Sequence, residues 1–390
     1  MRYAQRALEP QIARAAHGFG AVVLTGPRRA GKTFLLRHLL PKADYVLLED
    51  PDTLARVRSD PRSFVAERRP PVILDEVQNA PELFNYVRAV LDRHPRRVGQ
   101  WFLTGSQEAS LMGGVTESLA GRAAIFQLLP LSLAESAKVD LLHGGFPEVL
   151  ARPRQRHVWF SSYLQSYLER DVRAVTGVRD LSTFRRFLGL VAARHGQILN
   201  RSDLAGPLGV SVPTVSAWLS VLEVTGQVLI VPPYFENFGK RLIKSPKIYW
   251  VDSGLACHLL GIHTKAELAR SPFRGALFEG MVAGEIVKAQ LNAGGRKEIY
   301  FFRDRPGLEV DFLIPRADGL WLVEAKASAT ALPGDARAMQ SLAVGRRGAT
   351  RARGFVVHQH TRHRSPTSVL VPGVQALTLG QFVDELGATH

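Results

Sequence analysis

The chain has 390 residues, 46% of them hydrophobic, which is enough for two or three domains with at least one large core. Lys and Arg total 50 against 35 acidic residues, and the net charge of +15 indicates either a polyanionic partner such as nucleic acid or an Arg-rich proteome. A single cysteine excludes an internal disulfide framework, and no long apolar run indicates export or a membrane partner, so we expect a cytoplasmic protein.

Short β-rich runs alternate with helical stretches from residue 21 to residue 129. Such alternation predicts an α/β fold with a parallel sheet covered by helices on both faces, which we place at residues 1–135. The five predicted strands are Ala21–Thr25, Tyr45–Leu48, Val72–Leu74, Gln100–Thr104 and Ala124–Leu129.

The first predicted strand leads into a phosphate-binding loop, GPRRAGKT, which matches the G-x-x-x-x-G-K-[ST] pattern. Its glycines, Gly26 and Gly31, allow a tight turn that aims backbone amides at phosphates, and the next helix adds its positive end. We expect Lys32 to bridge the β- and γ-phosphates of ATP and Thr33 to ligate Mg²⁺. The predicted ATP-binding segment also includes Pro27, Arg28, Arg29 and Ala30.

Two carboxylates follow the third predicted strand, at the sheet edge where ligands bind. Asp75 suits the metal and Glu76 suits the attacking water. The next strand ends in Thr104 and Ser106, and either hydroxyl could orient that water or sense the γ-phosphate. The alternative is that these two residues only cap the strand end.

These motifs together resemble the additional-strand P-loop ATPases, which include AAA+ and STAND proteins. More narrowly, the chain is similar to a large bacterial and archaeal family that joins such an ATPase to a poorly understood C-terminal domain. The resemblance implies ATP hydrolysis with ATP and Mg²⁺ as cofactors. It is carried by GPRRAGKT, LDEVQ at Leu74–Gln78, LTGS at Leu103–Ser106, LAGR at Leu119–Arg122 and LPLS at Leu129–Ser132.

The resemblance implies roles for two further residues. Arg122 would reach a γ-phosphate in the same or a neighbouring subunit, unless it is an ordinary surface arginine. Pro147, in Gly145-Phe146-Pro147, is similar to the lid proline of STAND-like proteins that packs near the nucleotide, unless it marks a plain turn. A helical lid and connector are expected over residues 136–182, with helical spacing in Trp159–Val175.

Residues 183–262 are predicted to form a winged-helix domain. Two helical patterns, Ser202–Leu208 and Val212–Leu222, flank a tight turn, and strands Gln227–Val231 and Lys247–Val251 follow. DNA-facing candidates are Ser211, Thr214, Ser216 and Trp218 on the second helix and Lys240, Arg241, Lys244 and Lys247 in the wing. Because the second helix has no Arg or Lys, packing or dimerisation is an equal alternative.

Residues 263–390 are predicted to form a second, smaller α/β domain. A helix, Gly275–Ala289, precedes the strand patterns Ile299–Arg303, Leu308–Ile314, Leu320–Ala325 and Gly354–His358. The middle two patterns predict a hairpin that brings Asp311 towards Glu324 and Lys326, and the last two residues share one face of their strand. The two carboxylates would hold Mg²⁺, the lysine would position or deprotonate water, and Glu279 would add a third carboxylate.

This arrangement resembles the PD-(D/E)xK restriction-endonuclease-like fold, although Val310 rather than proline precedes the aspartate. The leading hypothesis is therefore an ATPase that acts on or with DNA and gates a Mg²⁺-dependent nuclease. The alternative is a nucleotide-controlled DNA-binding or regulatory switch whose nuclease-like domain is catalytically silent. A third alternative is that the positively charged surface binds RNA or another protein. The sequence leaves open whether the chain forms a homo-oligomer.

Overall fold

The structure is a computed structural model that describes residues 4–105, 118–168, 181–234, 245–304, 306–345, 352–359 and 369–388. Ser106 and the wing residues Lys240, Arg241 and Lys244 lie outside these ranges. The second half of the predicted helix Trp159–Val175 also lies outside the described residues. The predictions for these positions therefore stay predictions.

Helices and strands alternate in the N-terminal part of the chain, as predicted. The described helices are α1 (Glu9–Ala16), α2 (Lys32–Leu39), α3 (Pro51–Ser59), α4 (Pro61–Ala66) and α5 (Leu83–Arg93). The strands are β1 (Ala21–Thr25), β2 (Asp44–Leu47), β3 (Val72–Asp75), β4 (Trp101–Thr104) and β5 (Ala123–Gln127). Every predicted strand of this region is thus present, with small shifts at the ends.

The five strands form one parallel sheet in the order β2-β3-β4-β1-β5, which confirms the predicted parallel sheet. Strand β4 is inserted between β1, which leads to the phosphate loop, and β3, which ends in the acidic pair. Alternate residues of β1 face different cores: Val23 packs with α5, and Val22 and Leu24 pack with α1 and α2. Helices therefore cover both faces, and all strands end at the same edge.

The middle of the chain is mostly helical. Its described helices are α6 (Pro147–Ala151), α7 (Arg156–Tyr163), α8 (Leu181–Ala193), α9 (Arg201–Leu208), α10 (Val212–Val224), α11 (Ser253–Leu259) and α12 (Lys265–Arg270). Helix α7 continues into a π-helical turn at Leu164–Leu168. Two short strands, β6 (Val228–Val231) and β7 (Lys247–Trp250), pair antiparallel.

Helices α9 and α10 have the outline of a helix-turn-helix. They are inclined at 112°, and the turn between them contains Gly209 at φ +67°. Ser211 caps α10, because its hydroxyl accepts a hydrogen bond from the Thr214 amide at 3.2 Å. No single helix in the described ranges is long and apolar enough to cross a membrane, although this bent pair passes by length and composition when taken together.

Two of the predicted DNA-facing side chains are buried, so those predictions are wrong. Trp218 is 3% exposed and packs edge to face on Phe184, because α10 turns this position into the core. Lys247 is also 3% exposed, and its side chain forms ion pairs inside the protein. Ser211 is exposed, whereas Ser216 is half-buried.

The C-terminal part begins with the long helix α13 (Arg274–Asn292). The elements after it are β8 (Tyr300–Arg303), β9 (Glu309–Arg316), β10 (Gly319–Lys326), α14 (Arg337–Gly345), β11 (Ala352–His358), β12 (Val369–Val371), β13 (Val374–Thr378) and α15 (Leu379–Ala388). The predicted hairpin of β9 and β10 is present, and β12, β13 and α15 are additional.

The C-terminal sheet has the order β12-β13-β11-β10-β9-β8. Strands β8, β9 and β10 are antiparallel neighbours, and β11 runs parallel to β10. The core beneath this sheet also contains apolar residues of α7, α10 and α13, such as Phe160, Leu222 and Val282. The connector, the helical segment and the C-terminal sheet therefore share one core, whereas the N-terminal sheet has its own two.

Candidate nucleotide site and C-terminal acidic centre

The phosphate loop joins β1 to α2, as its sequence pattern requires. Gly26 has φ +137°, and a Cβ atom there would lie 2.1 Å from the carbonyl oxygen of Leu128, so only glycine fits. Gly31, at φ +100°, immediately precedes the first turn of α2. The Lys32 ammonium is buried and donates hydrogen bonds to the carbonyls of Gly26 at 2.9 Å and Pro27 at 3.0 Å. The first two residues of the loop therefore hold the lysine ammonium in place.

Three hydroxyl groups converge on the carboxylate of Asp75 at the end of β3. Thr33 and Tyr45 donate to its Oδ2 at 2.9 Å and 2.8 Å, and Thr104 donates to its Oδ1. Burial and the bond to Asp75 raise the pKa of Tyr45 well above its usual range, so its hydroxyl keeps its proton. Oxygen ligands of this kind suit Mg²⁺, and the pair Thr33 and Asp75 fits the predicted metal role.

Thr104 occupies a different position from the one expected of a residue that orients water. Its side chain is buried in the sheet and bonds to Asp75. It therefore holds the carboxylate that would bind the metal. Direct contact of Thr104 with water or the γ-phosphate stays a prediction.

Glu76 turns out of the sheet after β3, because its backbone adopts the left-handed conformation at φ +58°. Its carboxylate accepts a hydrogen bond from Gln78 and lies 3.9 Å from the guanidinium of Arg28. Arg28 also contacts Glu49 at 3.4 Å. These contacts hold Glu76 beside the loop, where a water-activating carboxylate would be needed.

A cleft of about 940 Å³ lies over the loop, within the usual size range of ligand pockets. Pro147 lines this cleft, and its Cγ would lie 4.0 Å from a Cβ atom at Gly31. Arg29 reaches across to Glu148 at 3.4 Å. The start of α6 therefore adjoins the loop, and contact of Pro147 with the nucleotide stays a prediction.

Arg6 lines the nucleotide cleft, although no sequence motif marks it. Its guanidinium donates to the carbonyls of Ala30 at 2.9 Å and Leu129 at 2.7 Å, and it pairs with Glu135 at 2.9 Å. Burial alone would raise the pKa of Glu135, but Arg6 and backbone hydrogen bonds lower it. The two residues of the pair are 129 positions apart, so no local pattern could have revealed them.

Arg122 lies at the edge of the sheet opposite the phosphate loop. It immediately precedes β5, and Ala123 pairs with Ala21 at the start of β1, whereas the loop follows the end of β1. The two ends are separated by about 13 Å of strand. Arg122 instead pairs with Asp92 on the surface. Contact with a γ-phosphate in the same chain therefore does not fit, and only the role in a neighbouring subunit stays a prediction.

The second group of predicted site residues comes together at the ends of β9, β10 and α13. Continuing the hairpin register by one residue sets Asp311 opposite Glu324, and the Ala325 amide donates to Asp311 at 2.9 Å. Lys326 pairs with Glu324 at 2.7 Å. The other oxygen of Glu324 is buried and has no hydrogen-bond partner among the described residues. Glu279 reaches the same centre from α13.

A lysine from the β6–β7 ribbon occupies the middle of these carboxylates. The Lys247 ammonium lies 2.9 Å from Glu279, 2.6 Å from Glu309 and 3.8 Å from Asp311. Tyr249, two residues along β7, donates to Glu279 at 2.6 Å. We call these residues, together with Glu324 and Lys326, the acidic centre. The acidic centre thus combines carboxylates from α13, β9 and β10 with the buried ammonium of Lys247.

Burial and mutual charge set the protonation of the acidic centre. Burial, followed by the charges of Glu279 and Glu324, raises the pKa of Asp311 well above its usual range. Burial also raises the pKa of Glu324. Burial alone would lower the pKa of Lys247, but the surrounding carboxylates raise it above the usual value. Lys247 is therefore charged, and together with Lys326 it compensates the carboxylates.

Lys247, Tyr249 and Glu309 are the residues of this centre that the sequence did not assign to it. Lys247 was expected in a DNA-binding wing because it follows a basic stretch. The pattern Lys-Ile-Tyr-Trp does place positions 247 and 249 on one face of a strand. Which face turns towards the carboxylates depends on how the ribbon packs, and no local pattern encodes that.

Comparison with known proteins reveals relatives along nearly the whole chain. It is 34% identical over 386 residues to the uncharacterized proteins Mb2031c of Mycobacterium bovis and Rv2008c of Mycobacterium tuberculosis, covering 96% of this chain and 85% of each relative. The chain belongs to this family. Residues 19–137 match the AAA domain family, which supports ATP binding and ATPase activity. Residues 135–266 and 274–377 match two domains of unknown function, DUF8612 and DUF4143.

Similar solved structures include the Walker-type ATPase PABY2304 of Pyrococcus abyssi, with 17% identity and a TM-score of 0.40, covering 65% of this chain and 94% of that one. The STAND protein PH0952 of Pyrococcus horikoshii shares 13% identity, with a TM-score of 0.25, over 73% of this chain and 48% of that one. These scores are too low to carry an argument. The assignment of a P-loop ATPase joined to a C-terminal domain of unknown function rests on the family matches and the loop.

Proposed function

We propose that this protein hydrolyses ATP and acts on or with DNA, and that its ATPase gates a Mg²⁺-dependent nuclease-like centre in the C-terminal domain. The observation that carries the proposal is the convergence of Asp311, Glu324 and Glu279 on one point, with Lys326 beside it. Charged groups are buried together at a cost in desolvation, and such clusters mark functional sites more often than chance.

Each group at the nucleotide site has a defined task in this proposal. The loop amides and Lys32 neutralise the phosphates, while Thr33 and Asp75 hold Mg²⁺. Tyr45 and Thr104 keep the Asp75 carboxylate in one orientation through their hydroxyls. Glu76 receives the proton of the attacking water or orients that water, and Arg28 limits its motion.

The C-terminal elements support the nuclease-like part of the proposal. The order α13, β8, β9, β10, α14, β11, with β11 parallel to β10, is similar to the common core of restriction-endonuclease-like proteins. Carboxylate oxygens from Glu279, Asp311 and Glu324 are suitable ligands for Mg²⁺. When bound, the ion would supply Lewis-acid chemistry, and Lys326 would position or deprotonate the water.

DNA binding is proposed from the distribution of charge and from the helical segment. Residues 141–390 contain 31 basic and 20 acidic side chains, against 19 and 15 in residues 1–140. Helix α10 follows the tight turn of a helix-turn-helix and presents the exposed Ser211 at its start. Because Trp218 and Lys247 are buried, we expect contacts to phosphates rather than sequence-specific reading.

A chain of contacts offers a route for gating from the loop to the acidic centre. Arg6 links the loop carbonyl of Ala30 to Glu135, and the nearby Leu133 amide donates to Glu285 at 2.8 Å. Glu285 lies on α13, the helix that also carries the glutamate of the acidic centre. Contact alone does not establish coupling, so gating has to be measured through its effect on the C-terminal centre.

The direct experiment measures ATP turnover and plasmid cleavage by the wild type, Lys32→Ala and Lys326→Ala. We expect Lys32→Ala to lose both activities and Lys326→Ala to lose cleavage while retaining ATP turnover. Unchanged ATP turnover by Lys32→Ala would refute the ATPase assignment. Unchanged cleavage by Lys326→Ala would refute the nuclease assignment.

The second candidate function is a nucleotide-controlled DNA-binding or regulatory switch with a silent nuclease-like domain. The position of Lys247 favours it, because this ammonium compensates the carboxylates that would otherwise bind a metal. Salt-sensitive DNA binding and slow ATP turnover without cleavage would support this candidate. Competition among duplex DNA, RNA and heparin would distinguish DNA from other polyanions, and sedimentation with ATP would show whether a homo-oligomer forms.

A further inference from the structure

Three histidines from separate segments meet on the surface between the connector and the helical segment. His157 lies on α7, His258 on α11, and His263 in the turn before α12. One ring nitrogen of each lies within 4.8 Å of the others. The ring centres of His157 are 5.0 Å from His258 and 4.6 Å from His263. We call these residues the histidine cluster and propose that it binds one transition-metal ion, with Zn²⁺ the best fit.

The backbone that carries His263 is held in place by specific contacts. The buried guanidinium of Arg156 donates to the His263 carbonyl at 2.6 Å and to the Leu142 carbonyl at 3.1 Å. The His263 amide donates to Glu267 at 2.6 Å, and Glu267 forms a capping box with Thr264. Because Arg156 immediately precedes His157, the same residue fixes two of the three positions relative to each other.

His258 is the most buried of the three histidines. It is half-buried, its ring packs on Phe160 with centres 5.5 Å apart, and its Nε2 lies 3.5 Å from the Ser161 hydroxyl. Its Nδ1 is buried and has no hydrogen-bond partner among the described residues. A buried polar atom without a partner carries an energetic cost, and a metal ion or a bound water would remove it.

The type of ligand selects the type of metal. Imidazole nitrogens bind Zn²⁺, Cu²⁺ and Ni²⁺ well, whereas Mg²⁺ and Ca²⁺ prefer oxygen. Zinc with three protein ligands keeps a fourth position for water or another donor. Zn–N bonds of about 2.0–2.1 Å require the ring nitrogens to move closer than their present limit, and the exposed rings of His157 and His263 can rotate to achieve this.

The positive charge of Arg156 opposes a bound cation, so we expect weaker binding than at a thiolate site. The Arg156 guanidinium donates hydrogen bonds to two backbone carbonyls. These N–H groups therefore point at the backbone and not at the histidine rings. A metal here would connect α7 of the connector to the α11–α12 turn. It would therefore stabilise this junction independently of the ATPase and nuclease-like centres.

The test is a titration of the full, untagged chain with zinc chloride after chelation, in the presence of excess Mg²⁺ to occupy oxygen-rich sites. The variants are the double substitution His157→Ala and His263→Ala, which changes two exposed side chains, and His94→Ala as an exposed control. We expect one Zn²⁺ per wild-type chain, unchanged binding by the control, and at least tenfold weaker binding by the double variant.

Thermal unfolding gives a second readout, because a ligand of the folded state raises the midpoint. Zinc should raise the unfolding temperature of the wild type and the control and leave that of the double variant unchanged. Zinc binding by the double variant within twofold of the wild type, or no zinc binding by the wild type, would overturn the proposal. Neither result bears on ATP turnover or DNA cleavage.

Discussion

Two buried lysines, one in each candidate site, show how differently the two sites are built. Lys32 begins α2, at the end of the loop that follows β1, and donates to two carbonyls of that loop, Gly26 and Pro27. Lys247 contacts carboxylates that come from α13 and β9, far away in sequence. Both side chains are about equally buried, at 5% and 3% exposure.

The two lysines differ in whether a ligand can replace the groups that bind the ammonium. The carbonyls that hold Lys32 are neutral, so phosphate oxygens can replace them with a gain in electrostatic energy. The carboxylates around Lys247 are buried or half-buried, so removing that lysine takes away the buried cation among them. The nucleotide site is therefore built to accept an anion, while the acidic centre already contains its own cation.

Lys247→Met should break the acidic centre and give the largest effect. Removing one partner of a buried ion pair costs about 3–5 kcal/mol, so we expect the free energy of unfolding in EDTA to fall by this amount. Mg²⁺ or Mn²⁺ should restore part of the loss, because the three carboxylates then bind the added cation. Urea unfolding with and without the metal measures both effects.

Lys297→Met is the matched control, because Lys297 pairs with Glu223 on the surface, where both side chains are well exposed. It should change stability by less than about 1 kcal/mol, with or without metal. A Lys247→Met protein as stable as the wild type would show that the carboxylates do not need this cation. Destabilisation without metal rescue would show that they do not form a metal site.

Lys32→Ala tests the other side of the comparison. Removing the charge that faces the phosphates should lower ATP turnover by about 100-fold or more, measured as phosphate release. The folded state should persist, since Lys32 has no role in the sheet core. Lys42→Ala, at an exposed position just after α2, should retain wild-type turnover. Equal losses in both variants would mean that the effect is not specific to the loop.

The contrast also explains which parts could be predicted from the sequence. The phosphate loop lies within eight consecutive residues, and the parallel sheet brings Asp75 to the same edge without further information. The hairpin of β9 and β10 likewise encodes the meeting of Asp311 and Glu324. Lys247 was misplaced and Arg6 was missed, because their partners lie in distant segments and are set only by packing.

Acid should weaken the region behind the acidic centre more than the nucleotide site. His195 packs on Tyr249 and accepts a hydrogen bond from the Trp250 amide at 3.0 Å, and burial lowers its pKa to about 3. In the unfolded chain the His195 imidazole takes up a proton near pH 6.5. The contribution of the neutral imidazole to the free energy of unfolding is therefore complete above that pH and is lost as the pH falls towards 3. The loss should reach about 2–3 kcal/mol at pH 4.5.

Comparing His195→Asn with the wild type isolates this contribution, because Asn keeps a hydrogen-bond acceptor and does not titrate. The raised pKa of Asp311 acts in the opposite direction, so the wild-type curve alone is ambiguous. Urea unfolding at pH 7 and pH 4.5 should show a smaller drop for the variant. Equal drops would mean that His195 is protonated in the folded protein at little cost.

Thr104→Val gives the smallest expected effect and distinguishes two roles for the last hydroxyl at the nucleotide site. Thr104 donates to Asp75, and a hydrogen bond to a charged group contributes about 1.5–3 kcal/mol. If it holds the metal-binding carboxylate, Thr104→Val should raise the Mg²⁺ concentration for half-maximal turnover roughly tenfold, and Thr104→Ser should not. A lower maximal rate at saturating Mg²⁺ would instead mean that the hydroxyl acts on water. A change in stability alone would reduce Thr104 to a cap at the end of β4.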